Sequence, residues 1–468
     1  MGNSKLKGKD LDKINIKSNK AKSIAINLMS KFFKHLTKEE KLALLENLFN
    51  NPEEYLDHPY LQLLAEEYVE IVEENDSKCY ELKSEPESYK IFGKKIISEN
   101  AIKQMDTAMS LPITKSGALM SDAHAGYGLP IGGVVACKNA VIPYGVGLDI
   151  GCRMHLSIFE GLDARFFKKY NFAIKSALHE MTHFGIGQLQ KTYEEHAVLS
   201  RKEFREIYIL RKLFGKAKGQ IGTSGSGNHF VEFGLITLEQ DNTLGLIPGE
   251  YVGILSHSGS RGLGAGIANH YIEVAKSKCK LPSGAKNLAW LDLDSEEGQE
   301  YWISMTLAGD YAQACHEVIH RKMEKALSIK AVRTIQNHHN FAWKEKQADG
   351  QELIVHRKGA TPAQKGVYGI IPGSMLTPGY IVSGKGTDNS LNSASHGAGR
   401  KFSRSFAKQS FTRSELKKQL KDQGVHLIGA GMDEAPGAYK DIEEVMRYQK
   451  ELVHVEGKFI PKFVKMDK

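Results

Sequence analysis

Residues 133–152 read GVVACKNAVIPYGVGLDIGC. The stretch opens on a short apolar run, Gly133-Val134-Val135-Ala136-Cys137, with the length and composition of a buried strand. A second run begins at Val141, is interrupted by Pro143 and Gly145, and ends in Gly147-Leu148-Asp149-Ile150-Gly151-Cys152. The glycines flanking Asp149 let the backbone turn tightly. An Asp and a Cys three residues apart on such a turn can reach one metal ion. A thiolate, with several lone pairs and a full negative charge, can bridge two. Taken alone, a structural cysteine buried after a strand is the plainer explanation.

The same texture continues on both sides. Tyr251-Val252-Gly253-Ile254-Leu255 reads as another buried strand, and helical periodicity marks stretches near 163–183, 194–214, 296–327 and 437–450. Most of the 45 glycines lie beyond residue 90. These features predict an α/β body, from about residue 88 to 468, in which glycine-rich loops carry the function. The front of the chain differs. Residues 1–22 hold seven lysines and few large apolar side chains, and are expected to form a flexible basic arm. Residues 23–87 are expected to form a helical appendage. Thr37-Lys38-Glu39-Glu40 is a capping box ahead of Leu42, Leu45 and Phe49, and Pro52 closes the run.

The chain has 468 residues, 41% hydrophobic and 25% charged, enough to bury a core without staples. No run approaches the roughly 18 apolar residues of a membrane span, and the polar, Lys-rich start is not a secretory signal. The five scattered cysteines do not form a disulfide framework, so a reducing, cytoplasmic location is expected. A net charge of +8 permits a polyanionic partner without requiring one.

Histidines accumulate in Gly- and Asn-rich surroundings: Asp122-Ala123-His124, Asn228-His229, His257-Ser258-Gly259, His338-His339-Asn340 and His396-Gly397. Together with Asp149 and Cys152 they offer imidazole, thiolate and carboxylate donors suited to Zn, Mn, Fe or Co. Gly222 to Glu232 is a glycine- and hydroxyl-rich loop entering a strand and able to present N–H groups to phosphate. It is neither a Walker A loop nor a dinucleotide fingerprint. Ser395-His396-Gly397-Ala398-Gly399-Arg400 is a second such loop, where a histidine backed by small residues can approach phosphorus and Arg400 can neutralise oxygens. His316-Glu317-Val318-Ile319-His320 matches the HExxH pattern of zinc proteases, but it lies inside an amphipathic run with no third ligand at the usual distance. It is set aside as a decoy.

Nine segments in order, DAHAGYGLPIGG (122–133), GVGLDIGCRM (145–154), GSGNHFVE (225–232), HSGSRGLG (257–264), HHNFA (338–342), HRKGATPA (356–363), IPGSM (371–375), SHGAGR (395–400) and DEAPGAYK (433–440), resemble the RtcB family of RNA-splicing ligases. The resemblance covers roughly residues 88–465. It implies an RtcB-like mixed α/β body with a central two-metal cleft. It also implies an enzyme that joins a 2′,3′-cyclic-phosphate or 3′-phosphate RNA end to a 5′-hydroxyl end, using GTP and two Mn²⁺ ions, assisted in some members by an archease-type activator. The match puts Asp149, Cys152 and His229 on one ion and Cys152, His257 and His339 on the other. His396 corresponds to the histidine that becomes guanylylated. Nucleotide contacts are implied for Asn228, His229, Phe230, Val231, Glu232, His339, Asn340, Pro372, Gly373, Ser374, Met375, His396, Gly397, Ala398 and Gly399. Arg261, Lys358 and Arg400 are expected to hold phosphates.

Three departures mark a divergent branch. Gly379 stands where family members carry a nucleotide-contacting Ser. The C-terminus lacks the usual Lys-Gly, leaving Lys465 or Lys468 for guanine. Arg153 replaces a Gly beside Cys152. Two other readings compete with a ligase: a metal-dependent cyclic-phosphate hydrolase that has lost guanylylation, and a non-catalytic RNA- or ribosome-binding factor.

Overall fold

The computed structural model describes residues 6–467 except 15, 17, 18, 74–77, 191, 192 and 348. It divides into two compact units: residues 1–79 with 277–280, and residues 80–276 with 281–468.

In the first unit, helices Gly8–Asp12, Asn19–Lys31, Lys38–Asn50 and Gln62–Glu73 pack through Leu11, Ala25, Leu45, Leu48 and Leu64. Thr37 caps its helix as its sequence pattern predicts: its backbone N–H donates to Glu40 Oε2 at 2.7 Å, and its Oγ1 accepts from Glu40 N at 3.2 Å. Within the stretch expected to be an arm, Leu6, Leu11 and Ile16 are buried. Residues 1–5 lie outside the described residues.

The second unit is mixed α/β, as expected. Its eight-stranded sheet runs in the order Arg333–His338, Arg153–Phe159, Gly249–Ser258, Phe230–Leu238, Val453–Met466, Gly379–Gly384, Tyr368–Ile371, with His426–Ile428 also beside Val453–Met466. A five-stranded sheet runs Asn340–Lys346, Glu352–Lys358, Ile131–Cys137, Thr114–His124, Lys90–Ile91. Most pairings are antiparallel, so neighbouring strands present adjacent ends to the same cleft. The expected strand at 133–137 is the end of Ile131–Cys137, and that at 251–255 is the centre of Gly249–Ser258.

The 32-residue helix Glu296–Leu327 lies against the larger sheet. Ser295 caps it, accepting from Gly298 N at 3.1 Å, and Ser328 ends it in the left-handed conformation. Its expected apolar stripe, Tyr301, Met305, Ala308, Ala312, Cys315 and Ile319, is fully buried. Strand alternation decides what faces where. Arg153 and Ser157 hydrogen-bond to this helix and His155 stacks on its His316, while Met154, Leu156 and Ile158 join the apolar core on the other face. The Arg153 guanidinium donates to Gly309 O at 3.0 Å and to Gln336 Oε1 at 2.9 Å, so it ties the helix to the sheet.

Candidate functional site

The turn carrying Asp149 and Cys152 is built as the sequence suggests. Gly151 takes φ 66°, its N–H donates to Asn340 O at 2.8 Å, and Cys152 N donates to Asp149 O at 3.2 Å. Gly259 is required opposite: a Cβ there would sit 2.0 Å from Asp149 Oδ1. His257 stands near the end of Gly249–Ser258, His229 just before Phe230–Leu238, and His339 between two strands belonging to different sheets. Five donors from distant parts of the chain therefore converge. Cys152 Sγ lies 3.4 Å from His229 Nε2 and 3.2 Å from His257 Nε2. His257 Nε2 lies 3.2 Å from His339 Nε2, and His229 Nε2 lies 2.9 Å from Asp149 Oδ2.

This donor set fits metal ions. His229 Nδ1–H donates to Ser224 O at 2.8 Å and His257 Nδ1–H donates to Asn228 O at 3.1 Å. Those bonds fix the tautomers and leave both Nε2 lone pairs directed at the thiol. One thiol proton cannot satisfy two such lone pairs; a cation can. Donor atoms of Asp149, Cys152 and His229 lie within 4.8 Å of one another, as do those of Cys152, His257 and His339, so the thiolate is common to two candidate ions. Burial pushes His257 down to about 3 and His339 well below its ordinary value, keeping both neutral and able to ligate. Asp149 Oδ2, 2.9 Å from the Nε2 lone pair of His229, likewise calls for a cation between the two acceptors.

A cavity of about 330 Å³ opens over these ligands, within the range of small-molecule sites. Asn228, Phe230, Glu232, Asn340, Pro372, Gly373, Ser374, Met375, His396, Gly397, Ala398 and Gly399 line it. Of the expected nucleotide contacts, Val231 alone does not: strand alternation turns its side chain into the core beside Phe233 and Phe463. Gly379 lines the cavity, with Pro372 Cα 3.3 Å from where a Cβ would stand. Lys465 does not line it. Its Nζ donates to the carbonyls of Leu178, His179 and Thr182 at 2.9–3.1 Å. Lys468 lies outside the described residues. Glu232 is buried, has no hydrogen-bond or ion-pair partner among the described residues, and is pushed well above the ordinary carboxyl range by burial.

His396 lines the same cavity, its ring centroid 4.8 Å from that of His339. Its Nδ1–H donates to Asp122 Oδ2 at 2.6 Å, and the same oxygen accepts the backbone N–H groups of His396 at 3.1 Å and Gly397 at 3.3 Å. Asp122 is fully buried; burial would raise its carboxyl, but His396 and Lys440 outweigh that and hold it below the ordinary value. Nε2 is thus the free nitrogen of a ring fixed from behind, the arrangement that makes an imidazole nucleophilic.

Arg400 lines the cavity but is partly committed, donating to Asp433 O at 2.7 Å. Arg261 stands behind the Gly225 loop with Nε donating to Thr223 Oγ1 at 3.3 Å. Arg404 and its partner Glu434, together with Tyr439, complete the wall. Arg404 had no signal in the sequence, whereas Glu434 and Tyr439 sit inside the DEAPGAYK segment.

The HExxH pattern forms no ligand group. Ser157 O–H donates to His320 Nδ1 at 2.8 Å, and His320 Nε2–H donates to Ser256 Oγ at 2.7 Å. Ser256 O–H in turn donates to His316 Nδ1 at 2.6 Å, and His316 Nε2–H donates to Ser258 O at 3.1 Å. This is a buried chain of neutral imidazoles joining helix to sheet.

Among the described residues no helix is long and apolar enough to cross a membrane. The family model described as "tRNA-splicing ligase RtcB" matches residues 104–210 and 185–466. The chain is 32% identical over 390 residues to the "RNA-splicing ligase RtcB" of Escherichia coli K12, covering 77% of this chain and 92% of the relative. It is 32% identical over 419 residues to the "tRNA-splicing ligase RtcB" of Nanoarchaeum equitans (75% and 87%), and 30% identical over 438 residues to that of Thermococcus kodakarensis (78% and 89%). With a shared thiol between two ligand groups, a buttressed histidine in the same cavity, and matches of this extent, the chain belongs to the RtcB family.

Proposed function

We propose that this protein is an RNA ligase that joins 2′,3′-cyclic-phosphate or 3′-phosphate ends to 5′-hydroxyl ends, consuming GTP and using two manganese ions. The observation that carries the reading is the Asp122–His396 pair beside the ligand set. His396 Nε2 attacks the α-phosphorus of GTP, the P–N bond forms, and pyrophosphate leaves. Nδ1 keeps its proton, and the cationic ring is balanced by buried Asp122. Where the end is a cyclic phosphate, water attacks its phosphorus and the P–O2′ bond breaks, leaving a 2′-hydroxyl and a 3′-phosphate. An oxygen of the RNA 3′-phosphate then takes the guanylyl group as the P–N bond breaks. The 5′-hydroxyl attacks the activated RNA phosphorus, losing its proton to solvent, and GMP departs. Ions held by Asp149, Cys152, His229, His257 and His339 would neutralise charge on the phosphate oxygens. Glu232 supports guanine over adenine: burial disfavours its charged form while it has no partner among the described residues, and the N1–H and 2-amino donors of guanine are the partners that would favour an accepting carboxylate there.

The test is incubation with Mn²⁺ and GTP labelled at the α-phosphate. Label that survives denaturation, is lost in acid and stable in base, and vanishes in His396→Ala and Cys152→Ala supports the reading. Metal-loaded protein that takes no label overturns it in favour of a cyclic-phosphate hydrolase or a binding factor.

A further inference from the structure

The cavity above His396 opens into a second, wider cleft of about 1400 Å³, and His124, Lys358, Arg400 and Tyr439 border both. That volume exceeds the space of one nucleotide-sized ligand. The wide cleft carries more positive than negative side chains: Lys358, Arg400, Lys401, Arg404 and Lys440 against Asp441 and Glu444.

Besides Tyr439, two tyrosines that lie side by side stand in it. Tyr127 is 71% exposed, and its ring lies nearly parallel to that of Tyr144, the planes 8° apart and the centroids 6.2 Å apart. An exposed tyrosine on a loose loop would mean little, but this loop is held. Lys358, itself buried, donates from Nζ to the carbonyls of both Tyr127 at 2.6 Å and Tyr144 at 3.0 Å, and the same ammonium lies 4.9 Å from the centre of the Tyr144 ring. One residue earlier, Gly126 exchanges two hydrogen bonds with the side-chain amide of Gln104, at 2.6 and 3.0 Å. One residue later, Gly128 takes φ 70° with Asn287 O 2.8 Å from where a Cβ would stand. Three successive residues are fixed through their backbones, and the side chain of the middle one is left open to solvent. Backbone order spent on an exposed aromatic ring presents that ring to a ligand.

From this geometry we infer that Tyr127, backed by Tyr144, is a stacking platform for an unpaired nucleobase at the end of the RNA, holding that end in the wide cleft while its terminal phosphate or hydroxyl reaches the His396 cavity. The inference rests on the ligase reading for the identity of the strand. Every base offers a π-face, so the platform selects an unpaired end rather than a sequence. Exposed Lys401 meets a phosphate of the same strand, whereas Lys358 and Lys440 are spent on backbone carbonyls and Arg400 and Arg404 pair with Glu434. Tyr127 is a positioning residue: it touches a base, not the reacting atoms.

The experiment uses two RNA oligonucleotides carrying 2-aminopurine next to the terminus, one ending in a 3′-phosphate and the other in a 5′-hydroxyl. Fluorescence is followed on binding to the wild-type chain, Tyr127→Ala and Tyr127→Phe. The platform predicts quenching of at least one probe by wild type and Tyr127→Phe, and its loss in Tyr127→Ala. End joining should show a KM for that RNA about tenfold higher in Tyr127→Ala, restored by Tyr127→Phe, with kcat much less affected. The probe that responds identifies which RNA end the platform holds. Equal quenching and equal KM in wild type and Tyr127→Ala, for both probes, would overturn the inference. Quenching reads binding without chemistry, so a chain that joins no RNA would sink the ligase reading while this arm still decides the stacking.

Discussion

At the residue scale, two carboxyls do different work because their partners differ. Asp122 is saturated from one side by an imidazole and two backbone N–H groups, and so orients His396. In Asp122→Asn the amide oxygen can still accept the backbone N–H groups and the imidazole, but the buried negative charge that balances the guanylylated, cationic ring is lost. Label transfer from GTP should fall by roughly a hundredfold or more, with the fold and metal content intact. Retention of wild-type labelling would show that the buttress is dispensable. Glu232 is buried in the same cavity with no partner among the described residues. Glu232→Gln replaces one acceptor with a donor facing the guanine donors. The KM for GTP should rise about tenfold and the preference over ATP should narrow. An unchanged GTP-to-ATP ratio would move base selection elsewhere in the cavity. Lys465, the sequence's own candidate for that task, is bonded to three carbonyls away from it.

At the scale of elements, the helix Glu296–Leu327 shows why a motif is not a site. Its apolar stripe was readable from spacing. His316 and His320 share that buried side, and buried imidazoles must either bind metal or be hydrogen-bonded. Here Ser157, Ser256 and the Ser258 carbonyl satisfy them. Ser256→Ala would leave His316 Nδ1 and His320 Nε2–H without their partner. A loss of about 2 kcal/mol is expected, read as a lower melting temperature with GTP labelling preserved. A neutral substitution would mean that a water replaces the hydroxyl. The helix Arg261–Lys278 carries the opposite lesson. Gly262, Gly264 and Gly266 give its start the composition of a loop. Yet a Cβ at Gly266 would meet Leu213 at 2.7 Å, and one at Gly264 would meet Ser260 Oγ at 1.8 Å. These glycines serve close packing, which no local propensity records.

At the scale of the whole molecule, burial holds several histidines neutral. His155 and His356 are pushed down to about 4, and His316 and His320 lie well below their ordinary value of 6.5, in each case chiefly by burial. His356 is satisfied in that form, accepting from Ile142 N at 2.9 Å. Because the folded values are depressed, the unfolded chain binds more protons below about 6.5. Stability is therefore full above that pH and is lost as pH falls from about 6.5 toward 4. Each such group steepens the slope by up to about 1.4 kcal/mol per pH unit. Melting temperatures at pH 7.5, 6 and 5, taken in chelator so that metal release does not contribute, should drop sharply over the last step. A flat profile would show that these sites gain water or rearrange on protonation.

What the sequence determined by itself is what depends on nearest neighbours along the chain. The Asp149–Cys152 turn, the Thr37 cap, the strands within 131–137 and 249–258, and the apolar stripe of 296–327 follow from glycine, capping and periodicity. The mixed α/β class followed from their alternation, and the ordered segments carried the family. Only the tertiary structure decided which histidines face one another. His229, His257 and His339 come from three strand ends in two sheets, and Asp122 meets His396 across 274 residues. It also separated Val231 from its neighbours in the cavity and committed Lys465 elsewhere. Strand alternation and long-range register set those directions, and neither is encoded in the local spacing of residues.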